Sequence, residues 1–230
     1  MKHNESPTPT PVILGIDEAG RGPVIGDMFV ACVGFRGELT EYLRELGVRD
    51  SKSLSPRARA TLFSRIVEIA EVVLVRRYSP SVIDESNLNK LFVDAVISFI
   101  KTVLSMGIDV REVYVDAVSS PKHRKDLIEG VPPNIRLVYE YKADVKYPAV
   151  AAASIIAKFL RDSHVSYLRS VYGEFGSGYP SDPRTIKWLT EHPLSGVPIV
   201  RRSWSTLKRL GLKTDVRDQG LLKWLKKKNC

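Results

Sequence analysis

Residues 15–26 read GIDEAGRGPVIG, so two carboxylates, Asp17 and Glu18, stand directly ahead of a glycine-rich turn that carries Arg21. A glycine turn after a strand usually cradles phosphate, which carboxylates repel. Two further acids sit at the ends of apolar runs: Asp116 in EVYVDAV (112–118) and Asp144 just past IRLVYEY (135–141). Neighbouring strands of an α/β sheet deliver their end residues to a common edge, where active sites form. Four carboxylates gathered there repel one another, and either protonation or divalent cations relieve the repulsion. Cations also remove the conflict with phosphate. Two hard ions roughly 3.5–4 Å apart bind a phosphodiester oxygen jointly, activate water on one side and stabilise the leaving oxygen on the other. An all-oxygen donor set with no Cys or His cluster selects Mg2+ or Mn2+ over Zn2+.

Each acid also has a plainer use. Asp17 and Glu18 are able to close a turn by accepting backbone N–H groups. Asp116, flanked by Val115 and Ala117, is harder to place that way, because an Asp in a buried strand is costly unless paired or metal-bound. Consecutive strand residues face opposite ways, so Asp17 and Glu18 ligate together only if the chain leaves extended geometry, which Ala19 and Gly20 permit. Rival motifs fail on detail. Arg21 and Gly22 stand where a phosphate-binding loop needs Lys and Ser or Thr, and Gly20, Gly22 and Gly26 are spaced one residue too long for a dinucleotide fingerprint. His3, His123, His164 and His192 show no paired spacing and read as solvent-exposed.

The elements that must position these acids follow from periodicity. PVILGI (11–16) and DMFVACVGF (27–35) have the composition of buried strands. A short helix is expected over 38–46 and a longer one over 55–70, entered by Ser-Pro, with EVVLVRRYS (71–79) as the next strand. Residues 87–106 place Leu88, Leu91, Phe92, Ala95, Val96, Phe99 and Val103 on one helical face, with Gly107 to end it. Strands at 112–118 and 135–141 flank a short helical segment. A helix over 147–172 starts with alanines small enough to let it lie close against a sheet, and Asp182 with Pro183 announces another helix. A final helical stretch spans 204–210. Strands first clustered, then alternating with helices, give an α/β domain with one mixed central sheet.

Composition sets the outer limits. The chain has 230 residues, 43% of them hydrophobic, enough for one domain with an appendage. Cys32 and Cys230 provide neither a disulfide framework nor metal-ligand spacing, so a reducing, cytoplasmic setting is expected. The opening MKHNESPTPTP reads as a loose leader without a signal-peptide core, and the apolar run 149–157 is too short to span a membrane. Of the net charge of +9, residues from Arg201 on carry +8, with ten Lys or Arg against two Asp. A basic tail on a nearly neutral body suits nucleic acid and equally suits a solubilising role. The expected division is a leader over 1–11, a catalytic domain over 12–200 and a basic helical extension over 201–230.

Taken in order, GIDEAGRGPVIGDM, VRDSKSLSP (48–56), YVDA (114–117), KAD with YPAVAAASIIAKFLRD (142–162) and GSGYPSDPRT (176–185) make the chain resemble type 2 ribonuclease H, ribonuclease HII, in its archaeal branch. That resemblance implies an RNase H-like fold, a mixed central β-sheet flanked by helices. It implies hydrolysis of the RNA strand of RNA/DNA hybrids and incision 5′ of ribonucleotides embedded in duplex DNA, by two metal ions, leaving 3′-hydroxyl and 5′-phosphate ends. Asp17, Glu18, Asp116 and Asp144 match the family's metal-binding catalytic acids. Gly20, Arg21 and Gly22 match the segment that contacts the ribonucleotide, and Tyr179 matches the tyrosine that packs on its sugar. A 2′-hydroxyl alone separates RNA from DNA at one position, and close backbone approach and an aromatic ring are both ways to read it.

Lys52, Lys142 and Lys158 are candidate phosphate contacts or plain solvated lysines, and Asp162 stands at ion-pair spacing from Lys158. Gln219, Leu222, Trp224 and Leu225 resemble a sliding-clamp-binding motif with its aromatic one residue early; the competing reading is a basic amphipathic helix. A monomer is expected. Two other classes remain open: a non-catalytic nucleic-acid-binding protein of this fold, and a related nuclease acting on DNA junctions.

Overall fold

A computed structural model of the chain describes residues 10–48, 54–117 and 121–212. The elements in chain order are β1 (Val12–Ala19), β2 (Met28–Arg36), α1 (Leu39–Glu45), α2 (Pro56–Ile69), β3 (Val72–Tyr78), α3 (Pro80–Asp84) and α4 (Leu88–Ser105). There follow β4 (Val110–Asp116), α5 (Pro121–Gly130), β5 (Arg136–Glu140), α6 (Ala143–Lys146), α7 (Pro148–Tyr172), α8 (Pro183–Glu191) and α9 (Ser205–Arg209). They divide into two compact units, one of residues up to Arg21, Met28–Arg77 and Asn87–Ser163, the other of Gly22–Asp27, Tyr78–Ser86 and the residues from His164 on.

The first unit is built on a five-stranded sheet in the order β3-β2-β1-β4-β5. β1 runs antiparallel to β2 and parallel to β4, and β4 runs parallel to β5, so the sheet is mixed as expected. Helix boundaries follow their caps. Ser55 accepts a hydrogen bond from the Ala58 N–H ahead of Pro56, and the Asn87 side chain accepts from the N–H groups of Asn89 and Lys90. Gly107 adopts φ +77°, the left-handed turn that ends α4.

The alanines of α7 lie against the sheet as their size suggests. A Cβ on Gly15 would fall 2.0 Å from the Ala149 carbonyl carbon and 2.4 Å from the Val150 nitrogen, so β1 and the start of α7 meet backbone to backbone. Ala151, Ala152, Ala153, Ile155 and Ile156 are buried there with Ala31, Val33 and Phe35 of β2 and Ile66 of α2. Each fully buried Ile or Phe contributes roughly 1.5–3 kcal/mol.

Three expectations are corrected. β1 continues through Asp17 and Glu18 to Ala19 because β2 holds it there: Asp17 faces Ala31 and Glu18 faces Val30. Two short helices, α3 and α6, lie below the length at which periodicity speaks. Asp162 pairs with Arg59 of α2 and with Arg161, not with Lys158.

In the second unit, residues 22–27 are flanked by two other segments. The N–H of Val24 donates to Gly178 O at 2.8 Å; the N–H of Gly26 donates to Ile199 O at 2.8 Å, and that of Arg201 to Val24 O at 2.9 Å. Val24, Ile25, Phe175, Trp188, Leu189, Val200 and Leu207 form its core. Arg201, which the charge count placed at the head of a tail, is fully buried, and Leu207 of α9 is buried with it. His164 is not the exposed histidine expected: its side chain is 12% exposed, with Nε2 3.4 Å from Asp27 Oδ2. His192 is exposed and stacks on Trp188. No helix among the described residues is long and apolar enough to cross a membrane.

Candidate active site

Asp17 and Asp116 come together where β1 and β4 end. The parallel register pairs Ile16 with Val115, so Asp17 and Asp116 are the next residues along two adjacent strands. Asp17 is buried, and its carboxyl is pushed up to about 7, first by loss of water and further by the nearby Asp116. Three groups oppose that rise: the Ser154 hydroxyl, the Glu18 backbone N–H at 2.7 Å and the Lys158 ammonium. Ser154 and Lys158 are one helical turn apart on α7, whose close approach at Gly15 brings them to Asp17.

Asp116 ends β4, and its Oδ1 accepts a hydrogen bond from the Ala143 N–H at 2.8 Å. Asp144, the next residue, is buried in the first turn of α6. Lys142 makes this turn possible: it alone among the described non-glycine residues has a positive φ, 59°, and α6 starts at the next residue after this left-handed step. The Lys142 side chain is exposed and that of Lys158 half-buried.

Glu18 is placed differently. Strand alternation points its side chain away from Asp17, and both of its oxygens accept hydrogen bonds from Arg21, through Nε and, at 2.9 Å, Nη2. Arg21 Nη1 also donates to Asn89 Oδ1 at 2.8 Å. The chain stays extended through Glu18 to Ala19, so the departure that Ala19 and Gly20 permit is not made at Glu18 here. Gly20 follows with φ +91°. Among the described residues, no three His, Cys, Asp or Glu side chains converge as a ready metal cage.

The fit to a metal ion is therefore carried by Asp17 and its neighbours. A buried carboxylate beside a second one, in a donor set made of oxygen, is relieved by a hard divalent cation. Asp116 is the second carboxylate beside it.

In the second unit Gly22 lies against Tyr179: a Cβ on Gly22 would be 3.3 Å from Tyr179 Cε1. The Gly22 carbonyl accepts a hydrogen bond from the Trp204 indole N–H at 3.1 Å. The Tyr179 loop is fixed by Gly178 N–H donating to Thr185 Oγ1 and by Asp182 N–H donating to Tyr179 O. Lys52, Gln219, Leu222, Trp224 and Leu225 lie outside the described residues. Sequence reasoning passed over Ser154, although a lone hydroxyl inside an alanine run is its signal, and over Trp204, which has no local signal at all.

A mixed sheet in this strand order, with carboxylates at the ends of two central strands, is an RNase H-like fold. The family model described as ribonuclease HII matches residues 14–207. The ribonuclease HII of Hyperthermus butylicus is 43% identical over 201 residues, covering 86% of this chain and 83% of that protein. A crystal structure of the ribonuclease H2 from Pyrococcus horikoshii superposes with TM-score 0.76 at 40% identity, over 86% of this chain and 96% of that one. A second structure, the PCNA:RNase HII complex from Archaeoglobus fulgidus, gives TM-score 0.74 at 39% identity over 87% and 97%.

The chain belongs to the ribonuclease HII family. It is a ribonuclease H, an endoribonuclease for RNA/DNA hybrids. The RNase H-like fold and the endoribonuclease activity on RNA/DNA hybrids that the five motifs implied are thus shown, and the non-catalytic alternative is set aside. Metal dependence is general to the family.

Proposed function

We propose that this ribonuclease incises on the 5′ side of a ribonucleotide, in a hybrid or embedded in duplex DNA, leaving 3′-hydroxyl and 5′-phosphate ends. The observation that carries the reading is the pair of adjacent strand-end carboxylates, Asp17 and Asp116, with Asp17 buried and held off its ordinary ionisation. Asp17, Asp116 and Asp144 would hold Mg2+ or Mn2+, which supplies activated water and neutralises charge at the scissile phosphate. Glu18 completes the set of four acids in this reading when Arg21 turns from it to the substrate and β1 leaves extended geometry at Glu18.

The protein's own groups do the rest. Ser154 and the Ala143 N–H orient the two carboxylates. Lys158 adds positive charge beside them, and Lys52 and Lys142 contact backbone phosphates away from the cleavage point. Gly20, Arg21 and Gly22 present backbone and guanidinium to the ribonucleotide, and the Tyr179 ring lies on its sugar. The chain acts as a cytoplasmic monomer. A clamp contact through Gln219, Leu222, Trp224 and Leu225 is supported by the PCNA complex of the Archaeoglobus relative, and the basic extension adds affinity for the duplex.

Asp116→Asn tests the core of this reading, because the Asn Oδ1 still accepts the Ala143 N–H. Cleavage of a duplex with one ribonucleotide should fall by a factor of about 10³ or more, while the thermal midpoint is kept. Unchanged cleavage would remove the mechanism.

A further inference from the structure

The segment that follows Arg21 must hold Gly22 still if backbone is to read a ribose, yet glycine is the residue least able to hold its own conformation. Its restraint comes from elsewhere in the second unit. Residues 22–27 are tied on one side to Gly178, which accepts from the N–H groups of Val24 and Ile25 at 2.8 and 3.2 Å. That contact is so close that a Cβ on Gly178 would sit 2.8 Å from Ile25 O. On the other side the chain around residue 200 forms a bridge between Val200 and Ile25.

Gly22 itself lies outside that ladder, and the group that reaches it is Trp204. The indole N–H donates to the Gly22 carbonyl at 3.1 Å, a bond between residues 182 positions apart. The ring is held in turn by Arg201, whose guanidinium carbon is 4.8 Å from its centroid. Arg201 is fully buried, and its Nε donates to Gly26 O at 2.8 Å. One buried cation thus grips the far end of the segment and the ring that grips its near end. Trp204 is further fixed as the residue preceding α9, where its carbonyl accepts the Leu207 N–H at 3.1 Å.

We propose that Trp204 is a positioning residue for recognition of the ribonucleotide, fixing the Gly22 peptide opposite Tyr179, with Arg201 as its support. Trp204 touches no reacting atom; it acts through Gly22. The inference rests on the reading that Gly22 and Tyr179 meet the ribonucleotide. A fixed Gly22 carbonyl turns the peptide plane one way only, so the backbone presented to the sugar is set before substrate arrives and less ordering is required on binding.

Trp204→Phe removes the N–H donor and keeps a ring over Arg201. On a duplex with one ribonucleotide, KM should rise about fivefold, the value of one neutral hydrogen bond, with kcat within about twofold and the thermal midpoint within a few degrees. Unchanged KM in a folded variant overturns the inference, and so does a fall in kcat alone. Tyr179→Ala separates the two levels of the argument. If it raises KM while Trp204→Phe does not, only the role of Trp204 fails. If neither does, the reading of the sugar by this loop fails with it. Should Trp204→Phe not fold, the wild-type indole N–H decides: exchange with solvent about tenfold slower than in free tryptophan supports the hydrogen bond, and exchange at the free rate overturns it.

Discussion

Asp17 in the first unit and Asp182 in the second are both acids beside a glycine turn, and their surroundings treat them in opposite ways. Asp17 is buried next to Asp116, and its carboxyl rises to about 7. Asp182 accepts from the Ser177 N–H at 2.7 Å and the Arg184 N–H at 3.0 Å, lies 3.1 Å from the Arg184 guanidinium, and is held well below the usual carboxylate range. Arg201, the largest fully buried side chain of the second unit, likewise has a carbonyl and a ring to meet it. Asp17 is left in conflict with Asp116, whereas Asp182 and Arg201 are met by partners within their own unit. Chemistry needs the first condition; a surface that reads shape needs the second.

The largest effect that bears on this contrast is expected at Gly15. An added Cβ would stand 2.0 Å from backbone atoms of Ala149, with no flexible side chain to move aside. Gly15→Ala must push α7 off β1, and Ser154 and Lys158 move with it. A loss of about 3 kcal/mol is expected, lowering the thermal midpoint by roughly 6–12 °C. Single-turnover cleavage should fall at least about tenfold below the melting range. A variant with wild-type melting and cleavage would show that the tight seat of α7 does not create the conflict at Asp17.

Much of this arrangement was legible in the sequence, and the illegible parts share a cause. Asp17 and Asp116 were readable because an acid at the end of a β-branched run breaks a local rule. Asp182 was readable because its cap and the following proline are adjacent in sequence. The extension of β1 over Asp17 and Glu18 was not, since acids have poor strand propensity and it is pairing to the distant β2 that holds them extended. The left-handed Lys142 carried no glycine to mark it. Arg201 looked like tail charge because its acceptor, Gly26, lies 175 residues away. Local chemistry could be read, whereas restraint by distant segments could not.

The next effect is a pH dependence of opposite sign for the two acids. For Asp17 the folded carboxyl binds its proton more tightly than the unfolded one, so stability is greatest below the ordinary value near 3.8 and falls as pH rises toward 7. Metal-free wild-type protein should lose roughly 2–4 kcal/mol over that interval from this group. Asp17→Asn should match wild type at pH 4 and melt several degrees higher at pH 8, with chelator present. Added Mg2+ or Mn2+ should raise the wild-type midpoint more at pH 8 than at pH 5, where the proton competes. A flat profile, or a metal effect that Asp17→Asn leaves intact, would place the conflict elsewhere.

The smallest effect is the mirror case. Asp182 is lowered in the folded state, first by the Arg184 side chain and then by the Ser177 N–H, so its contribution is present above the ordinary carboxylate value and is lost as pH falls toward the folded one. Asp182→Asn keeps one acceptor for the cap and gives up the ion pair. Its midpoint should lie roughly 2–4 °C below wild type at neutral pH. That difference should hold down to pH 4, the opposite of the trend for Asp17→Asn, and close only in stronger acid. Because Asp182 fixes the loop that carries Tyr179, KM for a duplex with one ribonucleotide should rise while kcat is kept. A difference that closed above pH 5 would mean that Asp182 is no better satisfied than Asp17, and the division of labour between the two units would lose its electrostatic basis.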